Sequence, residues 1–162
     1  MAKIAILAGE PSGDLIASQL MAFIKNKDKT IKFIGVGGPL MEKHGLKSYF
    51  DFTNLSLYGV LQVIPNIPKL LFLRYKLIKY LKTEKPDIFI GVDAPDFNFN
   101  VEKKLKQFGI PTFHYVAPSV WAWRPNRVYK IKKSTDHIFS IFPHEKPLFD
   151  KVGVKATFVG HP

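Results

Sequence analysis

The sequence predicts an α/β fold, a doubly wound and mostly parallel sheet with helices on both faces. The main observation is that short apolar runs alternate with segments of helical periodicity, a pattern typical of βα units around a parallel sheet. The length of 162 residues suits one such domain, and 46% hydrophobic residues supply its core. The chain has no cysteine, which excludes a disulfide scaffold, a zinc site with cysteine ligands and thiol nucleophile chemistry.

The predicted strands are the apolar runs, each short and bounded by turn residues. The clearest is DIFIGV, Asp87 to Val92, which is apolar on both faces as a central parallel strand should be. In chain order the predicted strands are Lys3 to Ala8, Ile31 to Val36, Ser48 to Phe52, Asp87 to Val92, Thr112 to Val116, His137 to Phe142 and Ala156 to Val159.

The predicted helices are the segments in which apolar residues recur at spacings of three and four. In the third helix these residues are Leu70, Leu73, Leu77, Ile78 and Leu81, and in the first they are Leu15, Leu20, Met21, Phe23 and Ile24. In chain order the predicted helices are Asp14 to Lys25, Leu40 to His44, Lys69 to Lys82, Asn100 to Phe108, Asn126 to Lys133 and Glu145 to Lys151.

The formal net charge is +11, from 24 Lys and Arg against 13 Asp and Glu. Such an excess indicates an anionic partner: a nucleic acid, an acidic lipid surface or a phosphorylated substrate. The lysines are scattered over several predicted helices and no RRM, KH or helix-turn-helix pattern is present, which argues against nucleic acid. We find no secretory signal, and the longest apolar stretch, Leu55 to Leu73, is interrupted by two prolines and a lysine.

The first loop that could bind a ligand runs from Gly9 to Asp14, after the first strand. In open parallel sheets ligands bind beyond the carboxyl ends of the strands. Glu10, Ser12 and Gly13 stand there at the start of a helix, whose N–H groups favour an anion or a sugar hydroxyl. The loop lacks the G-x-G-x-x-G spacing of dinucleotide-binding proteins. The structural alternative is that Ser12 or Asp14 caps the helix.

The second loop is GVDAPDFN, in which Asp93 ends the strongest strand. A partly desolvated carboxylate at that edge is a good proton acceptor near neutral pH, so Asp93 is the candidate general base. Asp96 and Asn98 fall where the next helix should be capped, and they could also orient a substrate. A purely structural role for Asp93 is the alternative.

The third loop, HYVAPSVWAWR, brings together His114, Ser119, Trp121, Trp123 and Arg124. Aromatic planes beside polar groups suit the stacking of a sugar or a base. The alternatives are a core loop whose indole rings cover the sheet edge, and a His114 that is a hydrogen-bonded core histidine. The candidate substrate-binding residues are therefore Ser12, Gly13, Asp96, Asn98, His114, Ser119, Trp121, Trp123 and Arg124.

The strings ILAGEPSGDL, FIGVGGPLME, GVDAPDFN, HYVAPSVWAWR and FVGHP, in this order and spacing, closely resemble the lipid-A-disaccharide synthase family. The resemblance covers essentially the whole chain. Chains of this family are more than twice as long and have the two-domain GT-B architecture. The resemblance therefore implies that residues 1–162 form a single Rossmann-like, acceptor-side domain, and that the domain binding the UDP-sugar lies outside this chain.

The resemblance also implies a reaction. A 2,3-diacylglucosamine unit passes from its UDP derivative to lipid X, the 2,3-diacylglucosamine 1-phosphate, forming a β-1′,6-linked disaccharide with inversion and release of UDP. By the family's pattern Asp93 matches the proposed base, and Glu10 matches a second acidic residue important for activity. No cofactor and no metal are implied, and the sequence has no Asp-x-Asp motif.

Three other functions are alternatives for this sequence. The related transferase that adds N-acetylglucosamine to a lipid-linked peptidoglycan precursor carries GGTGGH where this chain has GEPSGD. A nucleotide-dependent oxidoreductase is disfavoured by the absent G-x-G-x-x-G. A basic domain that binds nucleic acid or membrane without catalysis is the alternative of another class.

The stretch LYGVLQVIPNIPKLLFL, from Leu57 to Leu73, is more apolar than a helix with one buried face requires, and cations follow it. An apolar patch rimmed by cations predicts docking on an anionic bilayer. The resemblance implies that this bilayer is the inner membrane and that the protein is cytoplasmic and peripherally associated with it. The predicted membrane contacts are Leu61, Val63, Ile64, Ile67 and Leu71. The alternative is a core crossover helix with solvated lysines. A second basic cluster could contact the acceptor phosphate or lipid headgroups, or could be a solvated helix face; it consists of Arg124, Arg127, Lys130, Lys132 and Lys133. Whether the chain forms a homodimer is left open.

Overall fold

The computed structural model describes residues 1–56, 60–118 and 127–160, and for residues 60–64 and 127 it describes the backbone alone. The strands are β1 (Lys3–Ala8), β2 (Lys32–Val36), β3 (Lys47–Ser48), β4 (Ile88–Val92), β5 (Thr112–Tyr115), β6 (His137–Ser140) and β7 (Ala156–Phe158). The helices are α1 (Pro11–Lys27), α2 (Pro39–Glu42), α3 (Val60–Glu84), α4 (Pro95–Gln107), α5 (Arg127–Ser134) and α6 (Lys146–Lys151), with a 3₁₀ turn at Phe52–Asn54.

The strands form one seven-stranded sheet in the order β3-β2-β1-β4-β5-β6-β7, and all the pairings are parallel. This confirms the predicted doubly wound α/β fold. The strand order reverses between β1 and β4, and such a reversal opens the crevice in which doubly wound proteins bind ligands. Ala8 is in register with Val92, so the loops that follow β1 and β4 begin side by side.

The core consists of layers on both faces of the sheet, because successive side chains of a strand point in opposite directions. In β1, Ile4, Ile6 and Ala8 pack under α1 and α2. Ala5 and Leu7 pack under α3 and α4 on the other face. A third cluster, which includes Ile138 and Phe149, lies under the last helices. The crevice between β1 and β4 therefore stands on the most thoroughly packed part of the sheet.

The first helix begins three residues earlier than predicted, because Pro11 takes the first helical position, where its missing N–H costs nothing. The prediction of an inward Leu15 and Phe23 is wrong, since these side chains are 49% and 61% exposed. Small residues such as Ala17 and Ser18 are buried instead. Met21 is completely buried, and Leu20 and Ile24 are partly buried against the same core, so the helix packs along a stripe that leaves Leu15 and Phe23 outside.

The third helix is longer than predicted, beginning at Val60 rather than Lys69, so that Pro65 and Pro68 lie inside it. Prolines were expected to end a helix because they lack an N–H group. Both are exposed here. On that face solvent can hydrogen-bond the carbonyl groups that the prolines leave unpaired. None of the helices in the described ranges combines the length and apolarity that a bilayer-spanning helix needs.

The third strand is shorter than predicted and ends at Ser48. The Ser48 hydroxyl accepts a hydrogen bond from the Gly37 N–H and donates one to the Phe50 carbonyl, which curls the chain away from the sheet. Asp51 then caps the 3₁₀ turn by accepting from the Thr53 N–H at 2.9 Å. Local side-chain hydrogen bonds thus replace strand pairing in this segment.

Candidate functional site

The structure brings Glu10 and Asp93 to the same crevice, at the ends of the adjacent strands β1 and β4. Glu10 is the residue before α1 and has extended backbone angles, and its carboxyl is partly buried. Burial is the main cause of a raised pKa at Glu10, and the negative charge of Asp93 raises this pKa further. A like charge raises the pKa of a carboxyl group when it lies nearby, so the two carboxyl groups are neighbours at this edge of the sheet. The crevice therefore contains a pair of interacting acids.

Asp93 stands on a strained turn between β4 and α4. Asp93 and Ala94 have φ angles of 52° and 42°, in the left-handed region that only glycine adopts freely. Such conformations cost about 1 to 3 kcal/mol each and concentrate at functional sites. The Asp93 N–H donates to the Tyr115 carbonyl at 2.9 Å, which ties the turn to the neighbouring strand.

The loop after β1 contributes Ser12 and Gly13 in the first turn of α1. Ser12 is exposed at the crevice, whereas Gly13 is buried against the end of β4. A side chain at Gly13 would be 3.4 Å from both Ala8 Cβ and the Val92 carbonyl oxygen. Gly13 therefore packs the helix against the strand ends, and Ser12 is the side chain of this pair that a ligand could reach.

Asp14 caps a helix, but not its own. Its carboxylate accepts hydrogen bonds from the N–H groups of Gly38, Leu40 and Met41 at 2.9 to 3.1 Å, at the start of α2. The prediction that Asp14 caps α1 is therefore wrong, because the helix that it caps is α2. The reason is that α1 begins at Pro11, which carries Asp14 past the capping position and turns it towards the neighbouring loop.

Asn98 and His114, both predicted to contact substrate, are completely buried and offer no surface to a ligand in this structure. His114 Nδ1 is 2.7 Å from Glu102 Oε1, and the ring of Phe99 packs on the imidazole at 4.2 Å. Burial raises the pKa of Glu102, and the proximity of His114 partly opposes this rise. His114 is thus the hydrogen-bonded core histidine of the alternative interpretation.

The remaining candidates divide into exposed residues and residues outside the described ranges. Asp96 is exposed in the first turn of α4. Lys130, Lys132 and Lys133 are exposed on α5, as in the solvated-face alternative. Four candidates lie outside the described ranges: Ser119, Trp121, Trp123 and Arg124. The structure also does not describe the side chains of Leu61, Val63, Ile64 and Arg127.

Sequence reasoning missed two features near the carboxyl edge of the sheet. One is a cavity of about 430 Å³ beside β2 and β3, lined among others by Gly38, Glu42 and Phe52. The other is Glu145, which is fully buried in the loop after β6 and whose carboxyl has its pKa raised by burial. Neither feature can be recognised from a local sequence pattern. The cavity depends on the path of the chain after β3, and Glu145 resembles an ordinary acidic residue at the start of a helix.

Comparison with known proteins gives consistent results. The sequence model of the family described as lipid-A-disaccharide synthetase matches residues 4–162. The lipid-A-disaccharide synthase of Idiomarina loihiensis is 52% identical over 160 residues, covering 99% of this chain and 42% of the relative. That of Chromobacterium violaceum is 49% identical over the same number of residues, with the same shares of the two chains. This chain therefore spans about two fifths of the length of these relatives.

Solved structures share the fold at low sequence identity. UDP-GlcNAc 2-epimerase from Neisseria meningitidis, bound to UDP-GlcNAc, has a TM-score of 0.65 at 15% identity, over 99% of this chain and 46% of that one. The co-structure of S. aureus MnaA with UDP has a TM-score of 0.62 at 16% identity, over 94% of this chain and 41% of that one. The fold matches these structures, while the family model and the relatives near 50% identity confirm the resemblance inferred from the motifs. This chain belongs to the lipid-A-disaccharide synthase family.

Proposed function

We propose that this chain is the acceptor-side part of a glycosyltransferase that joins two acylated glucosamine units in lipid A biosynthesis. The donor is UDP-2,3-diacylglucosamine and the acceptor is lipid X. The observation that carries the proposal is the pair of interacting carboxyl groups, Glu10 and Asp93, in the crevice between β1 and β4. The names of the relatives near 50% identity support the same reaction.

In the proposed mechanism Asp93 is the general base. It takes the proton of the acceptor's 6-hydroxyl while that oxygen attacks the anomeric carbon of the donor sugar. The new carbon–oxygen bond forms as the bond to UDP breaks, and UDP leaves with the electron pair, so that the configuration inverts. Asp93 suits this role because the strained turn fixes its backbone at the sheet edge.

Glu10 is proposed to bind a hydroxyl group of the reacting sugars. Glu10 lies beside Asp93 at the crevice, and burial raises the pKa of its carboxyl group. Its carboxyl oxygens can accept hydrogen bonds from the hydroxyl groups of a sugar. Ser12 and the first N–H groups of α1 lie next to it and could hold further hydroxyl or phosphate oxygens.

We propose that UDP is held mainly by the part of the synthase outside residues 1–162, and the assay uses a protein that joins this chain to the remainder of the Idiomarina loihiensis relative. We call it the joined protein. The joined protein should form the disaccharide from lipid X and UDP-2,3-diacylglucosamine, and the 162-residue chain should form none, because it lacks the donor-binding part. Formation of disaccharide by the 162-residue chain would contradict the proposal that UDP is held mainly outside residues 1–162. Absence of product from both would contradict the transferase function.

We further propose that α3 docks on an anionic membrane surface, which would make the protein peripherally associated with the inner membrane. Ile67, Leu71, Phe72 and Tyr75 are between 44% and 65% exposed and recur at helical spacing on one face. Lys76 lies over the Phe72 ring at 4.8 Å. Buried residues of α3 such as Leu77 pack on the sheet, so the core-helix alternative describes the other face of the same helix. Apolar side chains rimmed by lysines favour an anionic bilayer.

Replacing Ile67, Leu71 and Phe72 together by serine is expected to weaken binding to phosphatidylglycerol vesicles by about tenfold or more, since a fully buried apolar side chain contributes about 1.5 to 3 kcal/mol. Cosedimentation of the 162-residue chain with the vesicles measures it. The matched control is serine at Leu15 and Phe23, which are equally exposed on α1. Equal losses in the two variants, or no loss in the first, would show that α3 is not the docking face.

A further inference from the structure

We propose that Asn98 is a positioning residue for Asp93: its side-chain amide holds the left-handed turn on which the candidate base stands. The inference rests on the proposed function, because it takes Asp93 as the base. It assigns to Asn98 a role that needs no contact with substrate, which agrees with the complete burial of this side chain.

The first step is the strain in the turn. Asp93 and Ala94 are consecutive non-glycine residues with positive φ angles, and an isolated turn of this kind would relax to an extended or right-handed conformation. The Asp93 N–H is held by β5 through the Tyr115 carbonyl. Something must also hold the carbonyl side of the turn if the conformation is to persist.

The second step is the hydrogen bonding of Asn98. Its Nδ2 donates to the Asp93 carbonyl at 2.7 Å and to the Val92 carbonyl at 3.3 Å. The two bonds span the residue at which the chain leaves β4. In the described part of the chain Asn98 Oδ1 has no hydrogen-bond partner. The side chain therefore acts here as a donor to two successive carbonyl groups, which is what fixes their orientation.

The third step is the close packing of α4 on β4. Gly91 has no Cβ, and one placed there would lie 2.9 Å from Asn98 Cγ and would overlap Glu102 Oε1. Asn98 and Glu102 are one turn apart on the face of α4 that packs on β4. Glu102 is joined in turn to His114 of β5 at 2.7 Å. This buried hydrogen bond fixes α4 against β4 and β5, and Asn98 links the helix in that position to the Asp93 turn.

The test compares Asn98→Ala with the unchanged joined protein. We expect kcat to fall by about 10- to 100-fold with KM changed less than about twofold, because a shift of the base by about 1 Å costs chemistry rather than binding. The control is Ser134→Ala, which removes the side-chain donor of a different buried residue, the Ser134 hydroxyl that donates to the Lys130 carbonyl on α5. Its kcat should stay within about twofold.

Adding Ala94→Gly to Asn98→Ala should restore at least about threefold of the lost kcat, because glycine adopts positive φ without strain. This double variant also carries the comparison if the single variant is too unstable to assay. A hydrogen bond that only stabilised the core would not be replaced by glycine four residues away. A kcat within twofold of normal in Asn98→Ala, or no rescue by glycine, would overturn the proposal.

The failure of the proposed function gives a different pattern. If Asp93→Asn leaves kcat unchanged, Asp93 is not the base, whatever Asn98 does. The turn can then be followed in the 162-residue chain alone, by the carbon chemical shifts and backbone couplings of Asp93 and Ala94. Left-handed values that persist in Asn98→Ala would refute the positioning role directly, and values that change to extended or right-handed ones would support it.

Discussion

Asp93→Asn is expected to lower kcat of the joined protein by about 100-fold or more, the usual contribution of a general base. Asparagine keeps the size of the side chain and tolerates the left-handed backbone, so the turn should survive. It cannot accept the proton of the attacking hydroxyl. Because binding does not require proton transfer, KM should change much less than kcat. Product formation at saturating lipid X and UDP-2,3-diacylglucosamine measures the effect.

The same substitution has a second readout that does not depend on activity. In the 162-residue chain, Asp93→Asn should lower the pKa of Glu10, because it removes the nearby negative charge that opposes ionisation of Glu10. This pKa should stay above its ordinary value, since burial is the larger cause and remains. The carbon chemical shift of the Glu10 carboxyl followed through a pH titration reports the change.

The control for both readouts is Asp150→Asn, which removes an exposed carboxylate whose contact is with Lys146 in the same helix. It should alter neither kcat nor the pKa of Glu10. A normal kcat in Asp93→Asn with a lowered pKa at Glu10 would keep the shared crevice and reject Asp93 as the base. An unchanged pKa at Glu10 would show that the two carboxyl groups do not interact.

The position of these two acids could be predicted because it depends on topology alone. In a parallel sheet the carboxyl ends of all strands lie at one edge, so residues that end neighbouring strands must meet there. Identifying the strands Lys3 to Ala8 and Asp87 to Val92 was therefore enough to bring Glu10 and Asp93 together. Strand bounds are set by runs of apolar residues, which the sequence displays directly.

Side-chain direction could not be predicted in the same way. Asn98 lies in α4, after β4, and His114 lies in β5, yet both side chains are buried in the interior, where α4 packs directly on Gly91. That close approach depends on a pairing of Glu102 with His114, twelve residues apart, which has no periodic signal. The early start of α3 was also missed. The periodic apolar residues that predicted this helix begin at Leu70, whereas in the structure it begins at Val60 and includes Pro65 and Pro68.

Gly91→Ala is expected to destabilise the fold strongly, by about 2 to 6 kcal/mol in the free energy of unfolding. The added methyl group would overlap Glu102 Oε1 and approach Asn98 Cγ at 2.9 Å. Overpacking alone costs about 1 to 3 kcal/mol. The displaced Glu102 would also lose its hydrogen bond to His114, and leaving a buried polar group without its partner costs about 1 to 3 kcal/mol. Urea denaturation of the 162-residue chain measures the loss.

The comparison with Gly13→Ala separates this mechanism from the general effect of replacing glycine. At Gly13 the added methyl would meet its nearest atoms at 3.4 Å, an ordinary contact, and alanine favours the helix, so stability should be unchanged or slightly higher. A second comparison removes the side chain that the added methyl group would overlap. In a Glu102→Ala background the overlap with Oε1 is gone, so Gly91→Ala should cost at least about 1 kcal/mol less than in the unchanged chain. If the losses in the free energy of unfolding are strictly additive, Gly91 is not required for the close packing of Glu102. The proposed coupling of His114 and Glu102, through Asn98, to the Asp93 turn would then be unsupported.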